Sequence, residues 1–113
     1  MPVAVDENAV WVLRFVGGQL TLFRVDPGTN EIVARIPVGP PNGSGLAGTI
    51  TTGGGYVWTG DWDNAISKVD PHTNRVVAIY KLPDAPQNMN YAHGSLWVDS
   101  YDASKVWRID PNA

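Results

Sequence analysis

The sequence predicts an all-β fold built from a repeated unit of four antiparallel strands, and three observations predict it. The phrase VDPGTNEIVARIPV, from Val25, returns as VDPHTNRVVAIYKL from Val69 and begins a third time as IDPNA from Ile109. Trp11, Trp58 and Trp97 stand in matching surroundings, each preceded by an apolar residue (Val10, Val57, Leu96). The 113 residues include 12 Gly, nine Pro and five Trp, a mix suited to short strands joined by tight turns. The tryptophans lie 47 and 39 residues apart, and the Asp-Pro pairs opening at Asp26, Asp70 and Asp110 lie 44 and 40 apart. The period is therefore in the low forties, with loops absorbing the slack.

Each unit opens on a short first strand: Val3-Ala4-Val5, Ile50-Thr51-Thr52 and Met89-Asn90-Tyr91. Turn residues follow (Glu7-Asn8, Gly53-Gly54-Gly55, His93-Gly94) of the kind that accept the positive φ of two-residue hairpins. The second strand carries the tryptophan. The third alternates, as in Ile66-Ser67-Lys68-Val69 and Val106-Trp107-Arg108-Ile109, giving one buried and one wetter face. It ends in Asp-Pro, where proline presets φ and the carboxylate accepts backbone N–H groups two or three residues on. Thr29 or Thr73 adds a further bond, and Asn30 or Asn74 suits a left-handed position that closes the hairpin. The fourth strand is rich in β-branched residues: Ile32-Val33-Ala34-Arg35-Ile36 and Val76-Val77-Ala78-Ile79-Tyr80. The three repeated aspartates are thus expected to be turn residues rather than acid–base pairs.

Four antiparallel strands in about forty residues is the signature of a β-propeller blade. The pattern WV…(I/V)DPxTNxVVAxI(P/L), with small or Gly-rich first turns, resembles the YVTN-type and virginiamycin B lyase-like propeller repeats across essentially the whole chain. Two departures stand out: Thr59-Gly60 follows Trp58 where Val-Thr is usual, and the first loop between second and third strands reads as longer than the others. The blades are expected over about 2–39, 48–83 and 88–113, a single partial propeller with two complete blades and a third lacking its last strand.

Propellers close with roughly four to eight blades around a channel. Three blades cannot close, and both terminal blades are expected to turn apolar faces to water without a polar cap. Either the chain is a piece or engineered unit of a longer propeller, or copies associate head-to-tail until a ring closes. A homodimer of about six blades is the expected state. The third strand of the last blade is expected to be an open edge that seeks a partner.

A net charge of −3, with eight Lys and Arg scattered singly, argues against nucleic-acid binding, which needs a basic stripe. The absence of cysteine removes disulfides and thiolate metal sites. No apolar run approaches membrane-spanning length, and the opening MPVAVDENAVWV lacks the features of a secretory signal in the chain as given, although similar propellers are often exported. No cofactor, membrane or nucleic-acid partner is expected, and the compartment stays open.

The resemblance implies that ligands sit at the end formed by the loops between second and third strands and by the connections between blades. Candidate ligand-binding residues there are Arg14 and Phe15 beside Gly17-Gly18, then Asp61, Trp62 and Asp63, then Tyr101 and Asp102, with the connections 37–48 and 82–88 around them. In GDWDN, Trp62 could stack on a sugar or aromatic ligand while its flanking carboxylates accept hydrogen bonds. The plainer reading has Trp62 packed on a neighbouring blade and the carboxylates capping the turn. Two carboxylates are too few for a hard cation without help from other loops. PNGSGLAG, from Pro41, has no following Lys or helix and reads as a flexible connection. His72 and His93, the two histidines, fall in turns at the opposite end, against a histidine-based reaction. Trp11, Trp58, Trp97 and Trp107 are expected to pack between blades. Arg24, Lys68 and Arg108 share one repeat position and are expected to form a solvated strand face rather than a functional ring of charge.

The expected function is a non-enzymatic binding or scaffold module that self-assembles into a ring, its small-molecule or peptide ligand unidentified. The alternatives are a magnesium-dependent enzyme resembling the streptogramin lyases, which would need His and Glu at the ring mouth, and a unit of a larger propeller without independent function.

Overall fold

The computed structural model describes residues 2–45, 48–100 and 105–112. Eleven strands run in chain order among the described residues. They are β1 (Val3–Val5), β2 (Val10–Val16), β3 (Gln19–Asp26), β4 (Glu31–Pro37), β5 (Thr49–Gly53), β6 (Tyr56–Gly60), β7 (Ala65–Asp70), β8 (Arg75–Lys81), β9 (Pro86–Ala92), β10 (Ser95–Ser100) and β11 (Val106–Ile109). They form three antiparallel meanders, β1-β2-β3-β4, β5-β6-β7-β8 and β9-β10-β11. The chain is therefore a run of propeller blades, the first two of four strands and the third of three. In an up-and-down meander the first and third turns of a sheet fall at one end. The second turn, and the link to the next sheet, fall at the other.

The turns follow their chemistry. Asp26 Oδ1 accepts from Gly28 N and Asp70 Oδ1 from His72 N, each at 2.8 Å, and Asp110 Oδ1 accepts from Asn112 N at 2.9 Å. Asn30 and Asn74 close their turns at φ 60° and 57°, each donating its backbone N–H to the carbonyl of the turn aspartate at 2.8 Å. Just before each of these turns the pairing slips by one residue, between Arg24 and Val25 and between Lys68 and Val69. The slips leave Val33 and Val77 unpaired and exposed. The first turn of the first blade departs from the positive-φ expectation. Asp6 organises it instead, its Oδ1 accepting from Asn8 N and Ala9 N and its Oδ2 from the Trp11 indole.

Two cores lie between the sheets. Trp11, Leu13, Leu20, Leu22, Ile36 and Val38 of the first blade pack on Val57 and Val69 of the second. The opposite face of the second blade sets Trp58 and Ile66 against Met89, Leu96, Val98 and Ile109 of the third, with Trp107 half-buried beside them. Trp58 is fully buried, and the Tyr91 ring stacks on it at 6.1 Å between centroids. The first strands of successive blades approach closely: a Cβ on Gly53 would lie 2.3 Å from the Tyr91 side chain, so glycine is needed there for space rather than for its φ. The same holds at Gly60, where a Cβ would come within 2.8 Å of Pro86, and this accounts for the Thr59-Gly60 departure from the repeat.

Candidate functional site

The first loop between second and third strands is shorter than the sequence suggests. Gly17 and Gly18, at φ 58° and 82°, make a two-residue hairpin, and the β2–β3 pairing continues out to Val16 and Gln19. Arg14 and Phe15 accordingly sit inside β2 and not in a loop. Neighbours on a strand point to opposite faces. Phe15 packs on the first core, while Arg14 is exposed on the outer face of the blade, beside Phe23, Val25 and Ile32. The two therefore face opposite sides of the blade.

The second loop holds GDWDN as an aspartate-capped turn. Asp61 is buried; its Oδ1 accepts from Asp63 N at 2.9 Å and Ala65 N at 3.1 Å, while its own N–H donates to the Ala65 carbonyl. Asn64 takes the left-handed conformation at φ 65°. Asp63 Oδ2 accepts from Ser44 N at 3.2 Å, tying this loop to the connection that leaves the first blade. Trp62 is half-buried next to them. Tyr101 and Asp102, and Leu46 and Ala47 of the glycine-rich connection, lie outside the described residues.

Burial pushes the Asp61 carboxyl above its ordinary value of 3.8, against the lowering effect of the Ala65 and Asp63 N–H groups. A raised pKa means that the folded state binds the proton more tightly than the unfolded state. The stabilising share is complete below 3.8 and is lost as pH rises through the folded pKa. Asp61→Asn keeps an acceptor at Oδ1 and removes the titration. Its urea-unfolding midpoint relative to the native chain should therefore rise between about pH 3 and about pH 7. A flat difference across that range would contradict the burial argument.

At this end a recess of about 190 Å³ is lined by Gly39, Pro40, Asp61, Ala65, Ser67, Ile79 and Lys81. At the other end a recess of about 280 Å³ lies among Asp6, Glu7, Asn8, Thr52, Tyr56 and His72. Both are smaller than the roughly 300–1,000 Å³ of drug-sized ligand pockets, and an open recess of about 320 Å³ among Asn8, Arg24, Asp26, Pro27, Val33 and Asn74 just reaches that range. His72 is in the third turn of its blade and His93 in the first, at φ 53°, so both histidines are at the end away from GDWDN. Among the described residues no three His, Cys, Asp or Glu side chains gather as metal ligands would.

The residues that sequence reasoning set aside carry the most specific geometry. Trp11 pairs across the ladder with Arg24, Trp58 with Lys68 and Trp97 with Arg108. The Arg24 guanidinium lies 5.2 Å from the centre of the Trp11 ring and reaches the next blade's Asp-Pro turn, where Nη1 donates to the Pro71 carbonyl at 2.6 Å and to Asn74 Oδ1 at 3.0 Å. Lys68 repeats the arrangement one blade later: its Nζ lies 4.1 Å from the Tyr56 ring centre and donates to the Pro111 carbonyl. These two cations are therefore links between blades, correcting the expectation of a solvated strand face. A repeated cation next to a repeated tryptophan was the available signal. Only the stacking of the sheets supplies its partner.

The outer flanks differ from one another. On the first blade Val3, Val5, Val10, Val12, Phe23, Val25 and Ile32 make an apolar surface across four paired strands, with Val3 57% and Ile32 45% exposed. The outer face of the third blade carries Asn88, Asn90, Trp97, Asp99, Val106 and Arg108, so the expectation of apolar faces at both ends holds in full for the first and in part, through the exposed Trp97 and Val106, for the third. Polar residues there pair among themselves, Asp99 accepting from Asn88 N at 2.8 Å. Trp97 is 36% exposed, whereas Trp11 and Trp58 are fully buried.

These features define a partial β-propeller. The described strands superpose on propeller-type proteins of known structure. Hydrazine synthase from Kuenenia stuttgartiensis matches with a TM-score of 0.77 at 16% identity, over 98% of this chain and 32% of that one. Glutaminyl cyclase from Myxococcus xanthus matches at 0.64 and 14% identity, over 99% of this chain and 48% of that one. The computationally designed Ika4 protein matches at 0.62 and 13% identity, over 96% of this chain and 89% of that one. The chain thus spans about half or less of the natural proteins it resembles. No protein-family model and no curated protein matches the sequence.

Proposed function

We propose that the chain is a non-enzymatic β-propeller module of the YVTN type that closes into a ring with a second copy of itself and offers binding loops at the ring mouth. The observation that carries this reading is the uncovered apolar outer face of the first blade. Its Val10–Val25 pair stands where Val57–Val69 and Leu96–Ile109 are buried in the later blades. Water against such a surface costs about 25 cal/mol per Å², so it is stabilised by a cover. Two copies supply six blades, within the range in which propellers close. The small open recesses favour a ligand held across a surface, such as a peptide, over an enclosed small molecule. The lactone-lyase alternative would need His at the mouth, and both histidines lie at the opposite end.

A second reading rests on the span of the natural structural relatives: further blades of the same polypeptide would cover the flanks. Light scattering after size exclusion at micromolar concentration separates the two. The ring predicts a dimer of twice 12.2 kDa, and a folded, monodisperse monomer rejects it.

A further inference from the structure

Each blade presents the same three-part device to its successor. The parts are a tryptophan on the second strand, a cation paired with it on the third, and the Pro carbonyl of the next blade's Asp-Pro turn. Arg24 with Pro71, and Lys68 with Pro111, are the two filled examples. The third example is present, with no acceptor for its cation among the described residues. Trp97 and Arg108 are paired on the ladder and exposed, and the indole is already held as in the preceding blade. Trp97 Nε1 donates to the Ala92 carbonyl at 2.9 Å, as Trp58 Nε1 does to the Gly53 carbonyl at 3.1 Å. At the other end of the chain, the first blade owns an acceptor with no donor among the described residues. Its Asp-Pro turn exposes Pro27 and Asn30, the counterparts of Pro71 and Asn74, above the Val10–Val25–Ile32 row.

We propose that the outer face of the third blade docks head-to-tail on the outer face of the first blade of a second copy, with Arg108 donating to the Pro27 carbonyl and Asn30 Oδ1 of that copy. This rests on the self-assembling reading above and names its interface. Trp97 covers Val10 and Val25, as Trp11 lies over Val57 and Val69 within the chain. Charge is complementary at the remaining positions. Asp99 stands two residues after Trp97, where Leu13 follows Trp11, and the receiving flank exposes Arg14 and Arg35 beside its apolar strip. The third flank, which sets Trp97 and Val106 among polar residues, is thus matched to a partner that is apolar in the middle and basic at its border. The interface is heterologous, and a ring of two copies is held by two identical contacts.

Charge substitution on the two faces tests it. Arg108→Glu disables the donating end and Ile32→Glu the receiving end. Both residues are exposed, so the blades should fold, as circular dichroism and urea midpoints would verify. If Ile32→Glu fails to fold, Val3→Glu on the same flank replaces it. Each variant alone should show a dimer dissociation constant raised at least about tenfold, because a like charge or a buried unpaired charge opposes docking. Arg108→Glu combined with Ile32→Arg in one chain should regain part of the dimer affinity, since both contacts then bring opposite charges together. A native chain that dimerises while both variants dimerise equally well would overturn this interface and leave the ring reading standing. A double variant that dimerises no better than Arg108→Glu alone would overturn the head-to-tail arrangement. A monomeric native chain removes both the ring and the interface.

Discussion

Trp58→Ala should lower stability by about 3–5 kcal/mol, the usual cost of emptying a large aromatic site in a packed core. That is a large share of the roughly 5–15 kcal/mol that holds a domain of this size together. Trp58 is fully buried in the second core, stacked on Tyr91 of β9 and 6.3 Å from the Tyr80 ring, so its removal empties the contact between the second and third blades. The loss should therefore be uneven. Amide exchange should show β9, β10 and β11 losing protection before β2 and β3, whose core around Trp11 is separate. Uniform loss of protection over all three sheets would mean that the two cores act as one cooperative unit.

Arg24→Ala should cost about 2–3 kcal/mol in urea unfolding, from two hydrogen bonds made by a charged donor and a cation–π contact at a part-buried site. The truncation also strands the Pro71 carbonyl between blades. Arg24→Lys should recover a part of the loss only, because the shorter side chain brings its ammonium less far toward the next blade than Nη1, which makes both bonds, although Lys68 makes a cation-to-carbonyl link at the next interface. A double-mutant cycle with Asn74→Ala should return a coupling of about 1 kcal/mol. Zero coupling would demote the contact to a surface accident. The same truncation at Arg108 should leave the stability of a lone chain nearly unchanged, since Arg108 is exposed there.

The strands were legible because their signals are local. Alternation, the Asp-Pro-x-Thr-Asn turn and the Trp-centred second strand all act within about eight residues, and the structure places each where its chemistry requires. GDWDN was legible in the same way, since an aspartate that binds N–H groups two and four residues on is a turn cap whatever surrounds it. The first hairpin misled for a definable reason. Gly17-Gly18 invites a long flexible loop on composition, while two adjacent left-handed glycines in fact make the tightest connection available and extend β2 past Arg14 and Phe15.

By itself the sequence determined the four-strand period, the Asp-Pro turns and the all-β class, because these depend on backbone preferences and on neighbours close in the chain. Only the tertiary structure decided that Arg24 and Lys68 join blades, that Trp97 is exposed where Trp11 and Trp58 are buried, and that one flank is apolar and the other mixed. Those outcomes join residues more than forty positions apart, and they depend on which face each sheet turns toward the next. That orientation is fixed by stacking the blades and is carried by no short stretch of chain.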